Sequence, residues 1–256
     1  MAVPGNRCHR GPVTPAPVNG HALLDFNAPM SDARAYGLIT TLQPLAGKTV
    51  VDFGCGWAEL LLRILETEPT ARGLGVDEDA SGVSRGRENA EKRGIQEHVR
   101  LDLANVTTWE APLADVAISI GAGHAWGDTR KTLEAMRERI RPGGVLLLGD
   151  AFWERPPTAD ILARLDATPD DYGTIAELVD LAMATGYRLL SLATANLDEW
   201  DSFESRWCAS RERWLLEHPD HPEAPAVRKV VDDHRDLWLH GYRGYLGFAY
   251  LTLARV

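Results

Sequence analysis

The stretch Lys48-Thr-Val-Val-Asp52-Phe-Gly54-Cys-Gly56-Trp-Ala58 starts as an apolar, β-branched run and breaks into alternating glycines. A short run of this kind suits a strand buried on both faces, as in a parallel sheet. Glycines placed directly after a strand let a ligand approach backbone that a side chain would otherwise block. A lone G-x-G is weak evidence, so the surrounding sequence has to carry the reading.

Outward from that turn, strand and helix signals alternate. Helices are expected over about 58–66, 82–93 and 129–140, and strands over 73–77, 99–103, 114–120 and 145–149. Arg141-Pro-Gly-Gly144 is the turn that feeds the last of these strands. Upstream, Ser31 caps a helix over about 32–42, with Ala35, Leu38, Ile39 and Leu42 on one face. Strands separated by single helices pair in parallel through right-handed crossovers, which predicts an α/β fold with a doubly wound, mostly parallel sheet. Further on, a helix near 174–185, a strand near 187–193, helices over 197–219 and 223–242 and a strand over 245–254 are expected. The sheet is then seven-stranded with an antiparallel last strand, and a helical cap is inserted at about 197–243. Residues 1–20, with four prolines and three glycines, are expected to form a disordered or draped tail on a domain spanning 21–256.

Two acids sharpen the glycine turn. Asp52 immediately precedes it, where a pyrophosphate would be repelled and a cationic ligand would not. Asp77 ends the next strand, 21 residues after Gly56, the usual reach for a carboxylate that accepts ribose hydroxyls. An NAD-dependent oxidoreductase would want G-x-G-x-x-G, whereas this chain has Glu59 in the third place.

Residues 20–155 resemble the class I, Rossmann-like S-adenosylmethionine-dependent methyltransferases. The resemblance implies S-adenosylmethionine as cofactor, with Asp52, Gly54 and Gly56 at its methionine end and Asp77 on its ribose. It also implies that Asn105, where the family often has Asp, meets the adenine amine and that the Val106 amide meets a ring nitrogen. Ala58 replaces a third glycine, and Glu78 stands where an apolar residue usually packs on adenine. The Arg-Pro-Gly-Gly turn also matches.

The fourth strand runs into Gly121-Ala-Gly-His124-Ala-Trp126-Gly127, which places Gly121 against the cofactor and His124 at its reacting end. An imidazole, with an ordinary pKa of about 6.5, suits proton removal near neutrality, so His124 is the candidate catalytic base or acceptor-orienting group. The alternative is a ring that only bonds loop backbone. His9, His21, His218, His221, His234 and His240 lie in tail, loop or helix contexts and are read as structural or solvated. The loop, Phe152-Trp153-Glu-Arg-Pro-Pro157 and Trp200-Asp-Ser-Phe-Glu-Ser-Arg-Trp207 are similar to a bacterial subgroup of these enzymes associated with small molecules. By that resemblance Phe26, Trp126 and Trp153 roof the acceptor pocket, and Tyr36 and Tyr242 add hydroxyls to it.

Eight tryptophans admit a flat aromatic, indole-type acceptor stacked between rings. They equally admit plain packing, which the helical spacing of Trp200, Phe203, Trp207 and Trp214 favours. The net charge of −10 disfavours a nucleic-acid acceptor, since phosphate contacts need a positive surface. Arg137, Arg139 and Arg141 alternate with Glu134 and Glu138 and read as a solvated face laced with ion pairs. Cys8, Cys55 and Cys208 have no metal-ligand spacing, so no metal is expected. No apolar run suits a membrane span and the N-terminus lacks a signal-like core, so no membrane partner and a cytoplasmic location are expected. A non-catalytic S-adenosylmethionine-binding protein is the remaining alternative.

Overall fold

The computed structural model describes residues 18–256, and the tail expected over residues 1–20 falls largely outside them. The chain divides into two compact units. A sheet unit comprises Ser31–Ala151, Ile175–Thr194 and Phe248–Val256. A helical unit takes residues 18–30 together with Phe152–Thr174 and Ala195–Gly247.

Seven strands form one sheet: β1 Thr49–Phe53, β2 Arg72–Asp77, β3 Val99–Leu103, β4 Ala114–Ile120, β5 Ile140–Trp153, β6 Tyr187–Thr194 and β7 Leu246–Arg255. Their spatial order is β3-β2-β1-β4-β5-β7-β6. Strands β1 to β5 pair in parallel, and β7 runs antiparallel to β6. The order reverses between β1 and β4, where Asp52 lies opposite Ile118, and ligands of open α/β sheets collect beyond the carboxyl ends of strands at such a reversal.

The helices of the sheet unit are α1 Asp32–Thr41, α2 Glu59–Thr67, α3 Ala80–Lys92, α4 Thr129–Arg139 and α6 Ile175–Ala184. Ser31, Asp79 and Asp128 cap α1, α3 and α4 by accepting backbone N–H bonds. Leu61, Leu62 and Ile64 of α2, together with Phe53 and Ile118, are completely buried and form the core under the β1–β4 reversal.

Strand β5 departs from the sequence reading at both ends. It begins at Ile140 and takes in the Arg-Pro-Gly-Gly segment, because Ala114 already pairs with Ile140 before the register shifts at Val116. Gly143, at φ +74°, absorbs the irregularity. The interleaved charges also behave differently from expectation. Arg141 pairs with Asp115 at 2.8 Å, while Arg137 and Arg139 donate to the carbonyls of Val256 and of Ala135 and Thr107. Those arginines therefore tie loops and strand ends together instead of pairing with Glu134 and Glu138.

The helical unit contains α5 Ala159–Leu165, which periodicity did not announce, α7 Leu197–Glu217 and α8 Ala224–Asp236. Asn196 and Glu199 form a reciprocal capping box at the start of α7. The helix expected to run to residue 242 stops at Asp236 and widens into a π-turn over Leu237–Tyr242, with Trp238 and Tyr242 both buried. Cys208, Leu215, Ala224, Val227 and Val231 form the hydrophobic seam of α7 and α8.

Candidate functional site

The glycine turn after β1 is held open by backbone that only glycine adopts easily. Gly54 and Gly56 have φ of +80° and +54°. A Cβ on Gly54 would lie 2.5 Å from the Cβ of Ala122, so the turn and the loop after β4 touch at that point. A Cβ on Gly56 would meet nothing within 4 Å, and therefore projects into open space. Ala58 takes the same left-handed conformation, φ 57°.

Asp77 builds the turn from the neighbouring strand. Its Oδ2 accepts the Gly56 N–H at 2.7 Å and its Oδ1 accepts the Asp79 N–H at 2.8 Å. The N–H groups of Gly54 and Cys55 both donate to the Val76 carbonyl. Two glycines on α3 complete the packing. A Cβ on Gly82 would lie 3.1 Å from the Gly56 carbonyl carbon, and one on Gly86 would lie 3.0 Å from the Trp57 oxygen. The Gly82/Gly86 pair, at i,i+4 on one helix face, was a legible signal that the sequence reading passed over.

Asp52 is 5% exposed, and burial, followed by the charge of Asp77, pushes its pKa up to about 8. Among the described residues no hydrogen bond offsets that burial. A carboxylate in this position is short of a positive partner.

At the next strand tips, Glu78 accepts a hydrogen bond from the Asn105 side-chain amide at 2.5 Å. The Asn105 carbonyl oxygen accepts from the Thr107 N–H at 2.9 Å, and Val106 beside it is buried. Asp102, at the end of β3, was not singled out from sequence. Burial raises its pKa, but hydrogen bonds from Arg100 and from the Trp109 indole at 2.9 Å outweigh that and hold it below the ordinary carboxylate value.

The loop after β4 turns at Gly121, φ +67°, and forms a short 3-10 turn over Gly123–Ala125. His124 is exposed on it, and its ring makes no hydrogen bond to a described residue, so the loop-bonding alternative finds no partner there. Trp126 is half-buried, and its indole N–H has no acceptor among the described residues. Asp150, within β5, accepts the Thr129 hydroxyl at 2.7 Å and would lie 3.9 Å from a Cβ on Gly123. Burial raises its pKa. The sequence reading ended β5 one residue too early to notice it.

Asp52, Gly54, Gly56, Asp77, Asn105, Val106 and Gly121 thus all lie at the carboxyl ends of β1 to β4 or on the turns that follow them in the sheet unit. The five expected acceptor residues divide between the units. Tyr36 is exposed on α1, with the Arg63 guanidinium 5.8 Å from its ring centre, and it shares the sheet unit with Trp126. Phe26, Trp153 and Tyr242 are buried in the helical unit, where the Trp153 indole donates to the Pro169 carbonyl at 3.1 Å.

A family profile described as "Methyltransferase domain" matches residues 45–197. The chain belongs to this methyltransferase family. S-adenosylmethionine is the cofactor of the methyltransferase fold. The methyltransferase is 26% identical to the uncharacterized protein YjhP of Escherichia coli (strain K12) over 80% of this chain and 83% of that one. In structure it is similar to a SAM-dependent methyltransferase from Geobacter sulfurreducens in complex with S-adenosyl-L-homocysteine, with TM-score 0.86 and 24% identity over 93% of this chain and 96% of that one. It is also 36% identical to the ribosomal protein L11 methyltransferase of Photorhabdus laumondii, but over 40% of this chain and only 33% of that one. Among the described residues no helix is long and apolar enough to cross a membrane.

Proposed function

We propose that this methyltransferase transfers the methyl group of S-adenosylmethionine to a small molecule, an aromatic or heterocyclic compound of indole type. One observation carries the cofactor assignment to particular residues: a buried carboxylate, Asp52, with no hydrogen bond among the described residues, beside a Gly56 turn that opens into free space. A zwitterionic amino-acid end with an ammonium group answers both features, and a diphosphate answers neither.

The residues present fit the cofactor. Asp52 accepts its ammonium, and the backbone at Gly54 and Gly56 lines the methionine end. Asp77, whose two oxygens already fix the turn, keeps lone pairs for the ribose hydroxyls. Asn105 and the Val106 amide would meet the adenine, and Gly121 would keep the reacting end free of side chains. When bound, the cofactor supplies an electrophilic methyl carbon on a sulfonium leaving group.

The protein's remaining task is alignment, water exclusion and removal of the acceptor's proton. His124 takes that proton at a ring nitrogen or orients the acceptor, and the free indole N–H of Trp126 donates to an acceptor heteroatom. Phe26, Tyr36, Trp153 and Tyr242 complete the acceptor set. A net charge of −10 supports a small-molecule acceptor over nucleic acid.

Titration with S-adenosylhomocysteine and with NAD tests the cofactor half, and uptake of the dinucleotide alone would overturn it. A panel of indoles, phenols and amines with labelled S-adenosylmethionine tests the acceptor. Transfer only to non-aromatic amines would reject the aromatic reading.

A further inference from the structure

The sheet unit holds a second enclosed carboxylate that no cation answers. Asp150 is half-buried on β5, where the pairing of Ile120 with Gly149 sets it beside Gly121, just past the end of β4. The Thr129 hydroxyl donates to its Oδ2 at 2.7 Å and the Ala151 N–H to its Oδ1 at 2.8 Å. Both donors are neutral, so each oxygen keeps a lone pair and the charge keeps no counterpart. Among the described residues no lysine, arginine or histidine pairs with Asp150, and Lys131, near Thr129 on α4, pairs with Asp128 at 3.3 Å instead. Burial raises the pKa of Asp150, as expected of a charge enclosed without a partner. The cofactor turn is close by. A Cβ on Gly54 would lie 2.5 Å from the Cβ of Ala122, and a Cβ on the next residue, Gly123, would lie 3.9 Å from Asp150 Oδ2. In the sheet β4 lies between β1 and β5, so Asp52 and Asp150 stand on either side of the loop that follows β4.

Methyl transfer moves a positive charge. The bond from the methyl carbon to sulfur breaks as its bond to the acceptor heteroatom forms. The electron pair stays on sulfur, and the charge passes to the heteroatom, from which it leaves as a proton. A fixed negative group aimed where the charge develops stabilises the transition state more than one aimed at the reactant. Asp52, on the β1 side, is taken up by the ammonium of the amino-acid end. Asp150, on the β5 side, has no such partner. We propose that Asp150 binds the positive charge at the transferred methyl group and follows it onto the acceptor heteroatom. The proposal rests on the cofactor placement at Asp52, Gly54 and Gly56 and adds a catalytic carboxylate on the far side of the methyl group. It also narrows the acceptor to one that reacts through a neutral N–H or O–H group. An acceptor with a phosphate or carboxylate next to the reacting atom would be repelled.

Calorimetric titration of the full chain with S-adenosylhomocysteine and with sinefungin tests this without any acceptor. The two share the nucleoside and the amino-acid end, but sinefungin carries a protonated amine in the place of the transferred methyl group. The parent is expected to bind sinefungin about tenfold tighter than S-adenosylhomocysteine, the usual margin for a hydrogen bond to a charged group. Asp150→Asn, which keeps an oxygen for Thr129, should cut that margin to about twofold or less and leave S-adenosylhomocysteine affinity unchanged. Asp52→Asn should instead weaken both ligands by the same factor, since both carry the ammonium. The thermal melt of each variant reports on folding, and if Asp150→Asn fails to fold, Asp150→Ser takes its place. Sinefungin no tighter than S-adenosylhomocysteine in the parent, or a margin that survives loss of the Asp150 charge, would overturn the proposal and leave the cofactor site standing. Binding of neither ligand would overturn the cofactor placement and the proposal with it.

Discussion

Asp52 makes the cofactor assignment measurable through protons. Its carboxyl titrates at about 8 in the folded chain, against 3.8 for an ordinary aspartate, because burial and the nearby Asp77 both disfavour its charge. Between those two values the native state holds a proton that the unfolded state has lost. Stability therefore falls as pH rises from about 4 to about 8, by about 1.4 kcal/mol per pH unit from this one group, and levels off above. For a chain of this size that slope moves the melting temperature by roughly 3–5 °C per unit. Asp52→Asn has nothing to ionise there. The difference in melting temperature between the variant and the parent, both without cofactor, should widen from pH 5 to pH 8 and then stay constant.

The same proton couples to binding. At pH 7 only about one-tenth of Asp52 is ionised and ready for an ammonium, which weakens apparent affinity about tenfold relative to the fully ionised site. S-adenosylhomocysteine, which carries the ammonium but no sulfonium, should bind about tenfold more weakly at pH 6 than at pH 7. Calorimetry at pH 7 in buffers of different ionisation enthalpy should register close to one proton released per ligand bound. Parallel melting curves for parent and Asp52→Asn, together with binding that releases no proton, would refute the reasoning.

The glycine turn separates folding from binding. Gly56→Ala should cost about 1 kcal/mol for its left-handed backbone but abolish S-adenosylhomocysteine binding, whereas Gly54→Ala, driven into Ala122, should cost about 3 kcal/mol in urea unfolding. His124→Ala should leave cofactor affinity unchanged and lower turnover about 100-fold in a labelled-methyl assay; undiminished turnover would remove the imidazole from the chemistry. Asn105→Asp sets a second carboxylate against Glu78 at a cost of about 1 kcal/mol, so S-adenosylhomocysteine should bind about fivefold more weakly, and adding Glu78→Leu should restore it. Loss of affinity in the double variant equal to the sum of the singles would show that the two positions are not coupled.

The sheet was legible because its cues are local. The apolar run ending at Phe53, the Ser31 cap and the strand–helix alternation each fix a short segment, and together they fix the sheet. What escaped reading depends on partners distant in sequence. The extension of β5 to Trp153 carries no periodicity change that marks it, and Asp150 gains its place only when the Gly123 turn arrives beside it. The π-turn at Leu237–Tyr242 keeps the helical spacing of α8 closely enough that sequence alone shows a continuous helix.

Glu78 and Asn105 show most directly what one sequence conceals. Each stands 27 residues from the other and each looks, taken singly, like a weakening of the family pattern: an acid where an apolar residue packs on adenine, an amide where an acid is common. The structure joins them in one solvent-exposed hydrogen bond beyond the ends of β2 and β3. The amide also anchors Thr107, which holds the backbone that presents the Val106 N–H. Two apparent departures therefore meet in a single polar contact. A site read from sequence should accordingly be judged by whether its departures can meet in space, not by how many there are.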